Sequence, residues 1–186
     1  MADTPVMKIV PPYTPELLPE VQGLINVFLR SLSDPSVLEL GGGWSTIWFA
    51  GLTGNVHSVE HNMDWWREIL RVIHGMDFIG NVRVEPIHAS RIDKYVGRSE
   101  DLDGEYDLIL IDCVDEARLP SLFASLTRLS PGGWLVLDDS HWPMFEGVEA
   151  VMKNLGFNSR TIKGNHTRKT GEVCFHQTTI FSKGPL

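Results

Sequence analysis

Five acidic side chains stand where they could do chemistry. Glu39 lies near the end of "SVLEL" and leads into Gly41, Gly42 and Gly43; Glu60 ends "NVHSVE"; Asp112 ends "YDLILID"; Asp138 and Asp139 end "PGGWLVLDD". A carboxylate can accept hydrogen bonds from ribose hydroxyls, attract a cationic ligand or hold a hard divalent ion. These groups act together only if one fold gathers the five chain segments, so the elements that carry them decide the matter.

The segments alternate in a regular way. "TPELLPEVQGLINVFLRSL" opens with Thr14 as an N-cap and Pro15 at the first helical position, and Leu17, Val21, Leu24, Ile25, Phe28 and Leu29 recur at helical spacing. Strands are expected at 36–40, 55–60, 81–87, 106–112 and 131–139, with helices at 45–52, 62–73 (capped by Asn62), 117–129 and 143–155. Residues 157–164 and 172–183 read as two further strands around the polar turn "NHTRKTG". Strands that alternate with helices give an α/β fold, a mostly parallel sheet with helices on both faces, and the last hairpin adds an antiparallel strand. In such a sheet ligands bind beyond the carboxyl ends of the strands, where the five acids lie.

Bulk properties narrow the class. The 186 residues suit one domain, expected at 15–186 behind a proline-rich arm at 1–14, and 42% hydrophobic with 22% charged residues is a globular balance. The net charge of −8 gives no general attraction to nucleic acid or lipid, so small molecules are the expected partners. No apolar run is long enough for a membrane span, and the N-terminus lacks the pattern of a signal peptide; a cytoplasmic location is expected. Cys113 and Cys174 show no ligand spacing and are expected to be buried thiols.

The glycine turn by itself is weak evidence for a nucleotide. Thr46 stands where a dinucleotide fingerprint would have its third glycine, and Glu39 would repel a pyrophosphate; Glu60, about 20 residues further on, suits ribose hydroxyls. A phosphate-free, cationic adenosine derivative satisfies both observations. "LELGGGWST", "SVEHNMDWW", "YDLILIDC" and "LSPGGWLVLDDS", spanning roughly 36 to 140, resemble the successive motifs of class I S-adenosylmethionine-dependent methyltransferases. That resemblance implies a single Rossmann-like domain with a seven-stranded sheet ordered 3-2-1-4-5-7-6. It implies S-adenosylmethionine as cofactor, with Glu39, Gly41, Gly42, Gly43, Ser45 and Thr46 near its methionine part, Glu60 and His61 near its ribose, Ala89 and Ser90 near adenine, and Asp112 lining the same cleft.

The branch similar to catechol O-methyltransferase implies more. There, acids after strands four and five hold magnesium against a substrate hydroxyl, which would make Asp112, Asp138 and Asp139 metal ligands. The chain departs from that branch by having Asp115 where a lysine base stands three residues after the strand-four acid. The competing expectation is that one aspartate lines the cofactor cleft while the others bind loop backbone. Asp112, Asp139 and His141 are the residues expected to orient or deprotonate an acceptor. His88 reads either as an adenine contact or as a structural histidine.

Trp44 and Trp142 are expected to flank the cleft, and Trp48, Trp65, Trp66 and Trp134 to be core. Arg118 reads as a helix-surface arginine or an anion binder, and His166, Arg168 and Lys169 as a solvated loop or an anion contact. Acceptor choice is expected to come from the arm, the loop after strand five, the last hairpin or a second subunit, as in a homodimer. The expected activity is methyl transfer to an oxygen or nitrogen of a small molecule. A nicotinamide-dependent oxidoreductase and a non-catalytic S-adenosylmethionine-binding module are the alternatives.

Overall fold

The computed structural model describes residues 13–76, 81–101, 104–167 and 171–186. Most of the expected arm, and Arg168 and Lys169 of the expected hairpin turn, lie outside them. The elements are α1 (Pro19–Arg30), β1 (Ser36–Leu40), α2 (Trp44–Ala50), β2 (Asn55–Glu60), α3 (Met63–His74), β3 (Asn81–Pro86), α4 (Ile92–Asp101), β4 (Tyr106–Ile111), α5 (Asp115–Ala124), β5 (Leu129–Leu137), α6 (Val148–Asn154), β6 (Asn158–Thr167) and β7 (Val173–Ser182). The sheet runs β3-β2-β1-β4-β5-β7-β6. β1 to β5 are parallel, and β7 pairs antiparallel with both β5 and β6. This is the Rossmann-like methyltransferase architecture, seven strands in the expected order.

Alternation along the central strands builds two cores. Leu38, Leu40, Ile109, Ile111, Leu135 and Leu137 face one layer with Tyr95 of α4 and Leu122 of α5. Val37, Leu108, Leu110 and Val136 face the other, against Val21, Ile25 and Leu29 of α1 and Phe49 of α2. Because both faces are covered, β4 is almost wholly apolar, and the polar groups that end the strands are confined to the sheet's rim.

Three local departures have physical causes. α1 begins at Pro19, not Thr14, because Pro19 in a helix begun earlier would lack the N–H for the Pro15 carbonyl and its ring would strike that carbonyl. The Gln22 side-chain amide donates instead to the carbonyls of Leu17 at 2.7 Å and Pro15 at 3.3 Å. No element is expected between residues 91 and 105, yet α4 forms there: Tyr95 is buried and its hydroxyl donates to the Val59 carbonyl at 2.7 Å, which fastens the helix beside Glu60. The helix expected at 143–155 splits into a 3-10 turn, Pro143–Phe145, and α6, with Gly147 left-handed between them.

Candidate functional site

The glycine turn crosses the ends of three strands. The Gly41 N–H donates to the Val59 carbonyl at 2.9 Å and the Asp112 N–H donates to the Leu40 carbonyl at 2.8 Å, so β2, β1 and β4 are tied at one point. Gly41 has φ +104°, and a Cβ there would lie 2.1 Å from the Asp112 carbonyl oxygen. Only glycine fits that crossing. At Gly43 a Cβ would meet nothing nearer than 3.5 Å, so this last glycine is required by no packing within the protein.

Glu39 lies beneath the turn, wholly buried. Its Oε2 accepts hydrogen bonds from the Ser58 hydroxyl at 2.7 Å and from the Thr46 hydroxyl, and Thr46 Oγ1 in turn accepts from the Gly43 N–H at 3.0 Å. Thr46 thus couples the buried acid to the start of α2, a task a third glycine could not perform. Oε1 of Glu39 has no hydrogen-bond partner among the described residues. Burial pushes the carboxyl up to about 7, against the pull of the nearby Ser45, Thr46 and Ser58 hydroxyls.

Above the turn is a cleft of about 420 Å³, lined by Gly41, Gly42, Gly43, Trp44, Ser45, Glu60, His61, Asn62, Trp65, Asp112 and, from the segment before α1, Glu16. Glu60 is 1% exposed. Its Oε1 accepts from the Asn62 N–H at 2.5 Å, and the Asn62 side chain caps α3 through the N–H groups of Asp64 and Trp65 at 3.0 and 3.1 Å. Burial pushes Glu60 up to about 7, the Asn62 N–H pulls the other way, and the nearby Glu39 charge adds to the rise. His61 Nδ1 lies 3.3 Å from Glu60. Trp65 packs edge-on against Trp44 at 4.7 Å, and Tyr13 packs on Trp44 at 5.1 Å. Trp65, expected in the core, therefore forms part of the cleft wall. Its helix position alone could not show that the capped start of α3 faces the turn.

A second cavity, about 260 Å³, adjoins the first and shares Glu16 and Asp112 with it. Asp138, Asp139, His141, Trp142, His166, Cys174, Phe175 and His176 complete its lining. Two consecutive acids reach one cavity because the chain leaves β5 at that point: Asp139 has a left-handed backbone, φ 50°. Cys174, expected to be buried, is half-buried here, while Cys113 is buried as expected.

Arg118 organises the acids. Expected on a helix surface or as an anion binder, it is 6% exposed: Nη2 donates to Asp112 Oδ1 at 2.7 Å, Nη1 to the Asp138 carbonyl at 3.1 Å and to Asp139 Oδ2 at 3.4 Å, and Nε to the Cys113 carbonyl at 2.6 Å. The Trp142 ring covers the guanidinium at 4.5 Å. Burial holds Asp112 well above the usual carboxylate range, Asp138 adds to the rise and Arg118 opposes it, although about a third of the Asp112 side chain stays open to solvent. Burial and Asp138 likewise raise Asp139.

His176 supplies the second partner of the acids. It comes from β7, and its Nε2 lies 2.9 Å from Asp138 Oδ1 and its Nδ1 3.4 Å from Asp139 Oδ1. The Thr178 hydroxyl also donates to Asp138, at 2.7 Å.

The expected magnesium ligands therefore do not fit as a set. Asp112 and Asp139 are bound by a guanidinium, and Asp138 by His176 and Thr178. The one metal-capable group among the described residues substitutes His176 for Asp112: ligand atoms of Asp138, Asp139 and His176 lie within 4.8 Å of one another. Arg118 and His176 carry no local motif, since one is a lone cation on a helix and the other a lone histidine on a late strand. Only strand pairing brings them to the acids.

Of the remaining expected residues, Gly41, Gly42, Gly43, Ser45, Glu60, His61 and Asp112 share the first cleft, with Glu39 and Thr46 beneath it. Ser90 is exposed and outside the lining, in the 3-10 turn Ala89–Arg91, where its N–H donates to His88 Nδ1 at 3.2 Å. His88 caps that turn, a structural task.

A family model for a methyltransferase domain matches residues 38–140, more than half of the chain. No curated protein matches. Similar solved structures include the O-methyltransferase TomG of Streptomyces achromogenes, involved in tomaymycin synthesis and in complex with SAM (19% identical, TM-score 0.64, 91% of this chain and 82% of that one). The O-methyltransferase of Bacillus cereus in complex with SAH is 18% identical, with a TM-score of 0.62 over 91% of this chain and 83% of that one. Precorrin-6y C5,15-methyltransferase of Geobacter metallireducens is 17% identical, with a TM-score of 0.63 over 89% and 88%. These likenesses concern the fold. With the turn and strand-end acids inside the matched segment, the chain belongs to the methyltransferase domain family.

Proposed function

We propose that this protein is an S-adenosylmethionine-dependent methyltransferase acting on an oxygen or nitrogen of a small-molecule acceptor. The observation that carries the proposal is the pair Glu39 and Glu60. Both are buried beside the glycine turn, both are raised to about 7, and neither has a lysine or arginine partner among the described residues. Two such carboxylates suit a ligand with positive charge and ribose hydroxyls and oppose a pyrophosphate. The complexes of TomG with SAM and of the Bacillus cereus enzyme with SAH are in keeping with that choice.

When bound, S-adenosylmethionine supplies a sulfonium methyl group that passes to the acceptor as the carbon–sulfur bond breaks, leaving S-adenosylhomocysteine. Glu60 accepts the ribose hydroxyl hydrogen bonds. The open side of Gly43 lets the methionine part lie against the backbone, above the partnerless Glu39 oxygen. Asp112 and Glu16, common to both cavities, would stand between the methyl donor and the acceptor. Asp139 and His141 line the acceptor cavity and orient the nucleophile, and its proton passes to the Asp139–His176 pair. Trp142 and Phe175 give a flat acceptor apolar walls.

Titration calorimetry with S-adenosylmethionine and S-adenosylhomocysteine tests the reading. Saturable binding is expected in the parent, weakened about tenfold or more in Glu60→Ala, which corresponds to about 1.4 kcal/mol. Equal binding in the two proteins would remove the ribose assignment.

A further inference from the structure

Arg118 lies between two of the acids, Asp112 and Asp139, expected to share a divalent ion. We propose that its guanidinium is the resident cation of the acceptor site, joining the acids of β4 and β5, and that methyl transfer here proceeds without a bound divalent metal. The proposal rests on the methyltransferase reading above and concerns how its acceptor side is organised.

The geometry is that of a fixed group and not of a mobile surface cation. Nε and Nη1 are anchored on two main-chain carbonyls, Cys113 at 2.6 Å and Asp138 at 3.1 Å, which hold the plane of the guanidinium whatever the acids do. From that plane Nη2 reaches Asp112 at 2.7 Å and Nη1 reaches Asp139 at 3.4 Å. Trp142 closes one face at 4.5 Å, an arrangement that favours a delocalised cation and keeps water from it. A guanidinium keeps its charge at every physiological pH. A divalent ion shared by Asp112 and Asp139 would have to sit against that charge, which already lies 2.7 Å from the one carboxylate and 3.4 Å from the other.

The third acid is held independently. Asp138 Oδ1 is engaged by His176 Nε2 at 2.9 Å and the Thr178 hydroxyl at 2.7 Å, so a metal there would have to break two bonds within the protein. Three carboxylates thus face one guanidinium and one imidazole, and each is already bonded to a side chain of the chain itself. Arg118 is a positioning residue in this account: it sets Asp112, the acid common to both cavities, and Asp139 in place.

Manganese titration followed by electron paramagnetic resonance tests the proposal without requiring any methyl transfer or cofactor binding. The parent protein is expected to leave the signal of hydrated manganese unchanged through the micromolar range. Arg118→Met, which keeps an unbranched apolar stem about as far as Nε and loses the charged fork, is expected to bind manganese at least tenfold more tightly than the parent, and Asp112→Asn added to it is expected to abolish the gain. Micromolar binding by the parent protein would overturn the proposal, and that outcome is readable even if the Arg118 variant does not fold. A folded Arg118→Met protein with no gain in manganese binding would overturn it equally. Calorimetry with S-adenosylhomocysteine reports separately on the cofactor reading, because none of these outcomes alters Glu39 or Glu60.

Discussion

His176 Nε2 lies 2.9 Å from Asp138 Oδ1, so the acid that follows β5 is answered by a histidine from the antiparallel strand β7. Burial alone would lower the histidine, but the hydrogen bond to Asp138 and the charges of Asp138 and Asp139 outweigh it, and the net shift is upward from 6.5. A histidine raised in the folded state stabilises the fold fully below pH 6.5, and that share is lost as pH rises through the raised value. If the Asp139–His176 pair receives the acceptor's proton, methyl transfer should increase with pH over the same interval. His176→Gln should remove that limb of the pH–rate profile and slow transfer by about 100-fold. An unchanged profile would place the proton acceptor elsewhere, with His141 the next residue to substitute.

Glu39 and Glu60 give a pH dependence for binding that runs in the same direction. Each is raised from 4.5 to about 7 in the fold, so each favours its protonated form there. Their contribution to stability is complete below pH 4.5 and is lost as pH rises to about 7, on the order of 3 kcal/mol per group. A cationic ligand reverses the preference and drives protons off. Affinity for S-adenosylmethionine should rise with pH up to about 7, and calorimetry at pH 6 in buffers of different ionisation enthalpy should show proton release on binding. Glu39→Gln should diminish that release.

The glycines of the turn separate structure from binding. Gly41→Ala places a methyl group 2.1 Å from a main-chain oxygen at a positive φ and should cost at least about 3 kcal/mol in urea unfolding. Gly43→Ala meets no atom closer than 3.5 Å and should leave stability within about 0.5 kcal/mol. Its methyl group enters the cleft, so cofactor affinity should fall while the unfolding midpoint holds.

Removing the charge at Arg118 should be costly to the fold. Arg118→Ala leaves Asp112 without its 2.7 Å partner and opens the space beneath Trp142. The loss should be about 3 kcal/mol, at the lower end for a broken buried pair because Asp112 keeps some solvent. For a chain of this size that corresponds to a fall in melting temperature of roughly 6 to 12 °C.

The strand-end acids were legible because local pattern placed them: an apolar run that ends in an acid states both the strand and its rim. Glu60 could be paired with the glycine turn by spacing alone, and Asn62 could be recognised as a helix cap. The partners of the acids were not legible in the same way. Arg118 lies 20 residues from Asp138 and His176 lies 38 residues from it, and only the β4–β5 and β5–β7 pairings bring them together. α4 is hard to read in the sequence because Arg91, Asp93, Lys94 and Arg98 mask the apolar spacing of Ile92, Tyr95 and Val96. The start of α1 is ambiguous in the sequence because Pro15 fits a helix start as well as Pro19 does, and the choice rests on their being four residues apart.

The most direct test of the central claim is a crystal structure of the protein with S-adenosylhomocysteine. The account predicts the ribose hydroxyls on the Glu60 carboxylate, the amino-acid part against Gly43, and the sulfur facing the second cavity past Asp112 and Glu16. Ligand bound elsewhere, with Glu60 left facing water, would contradict it.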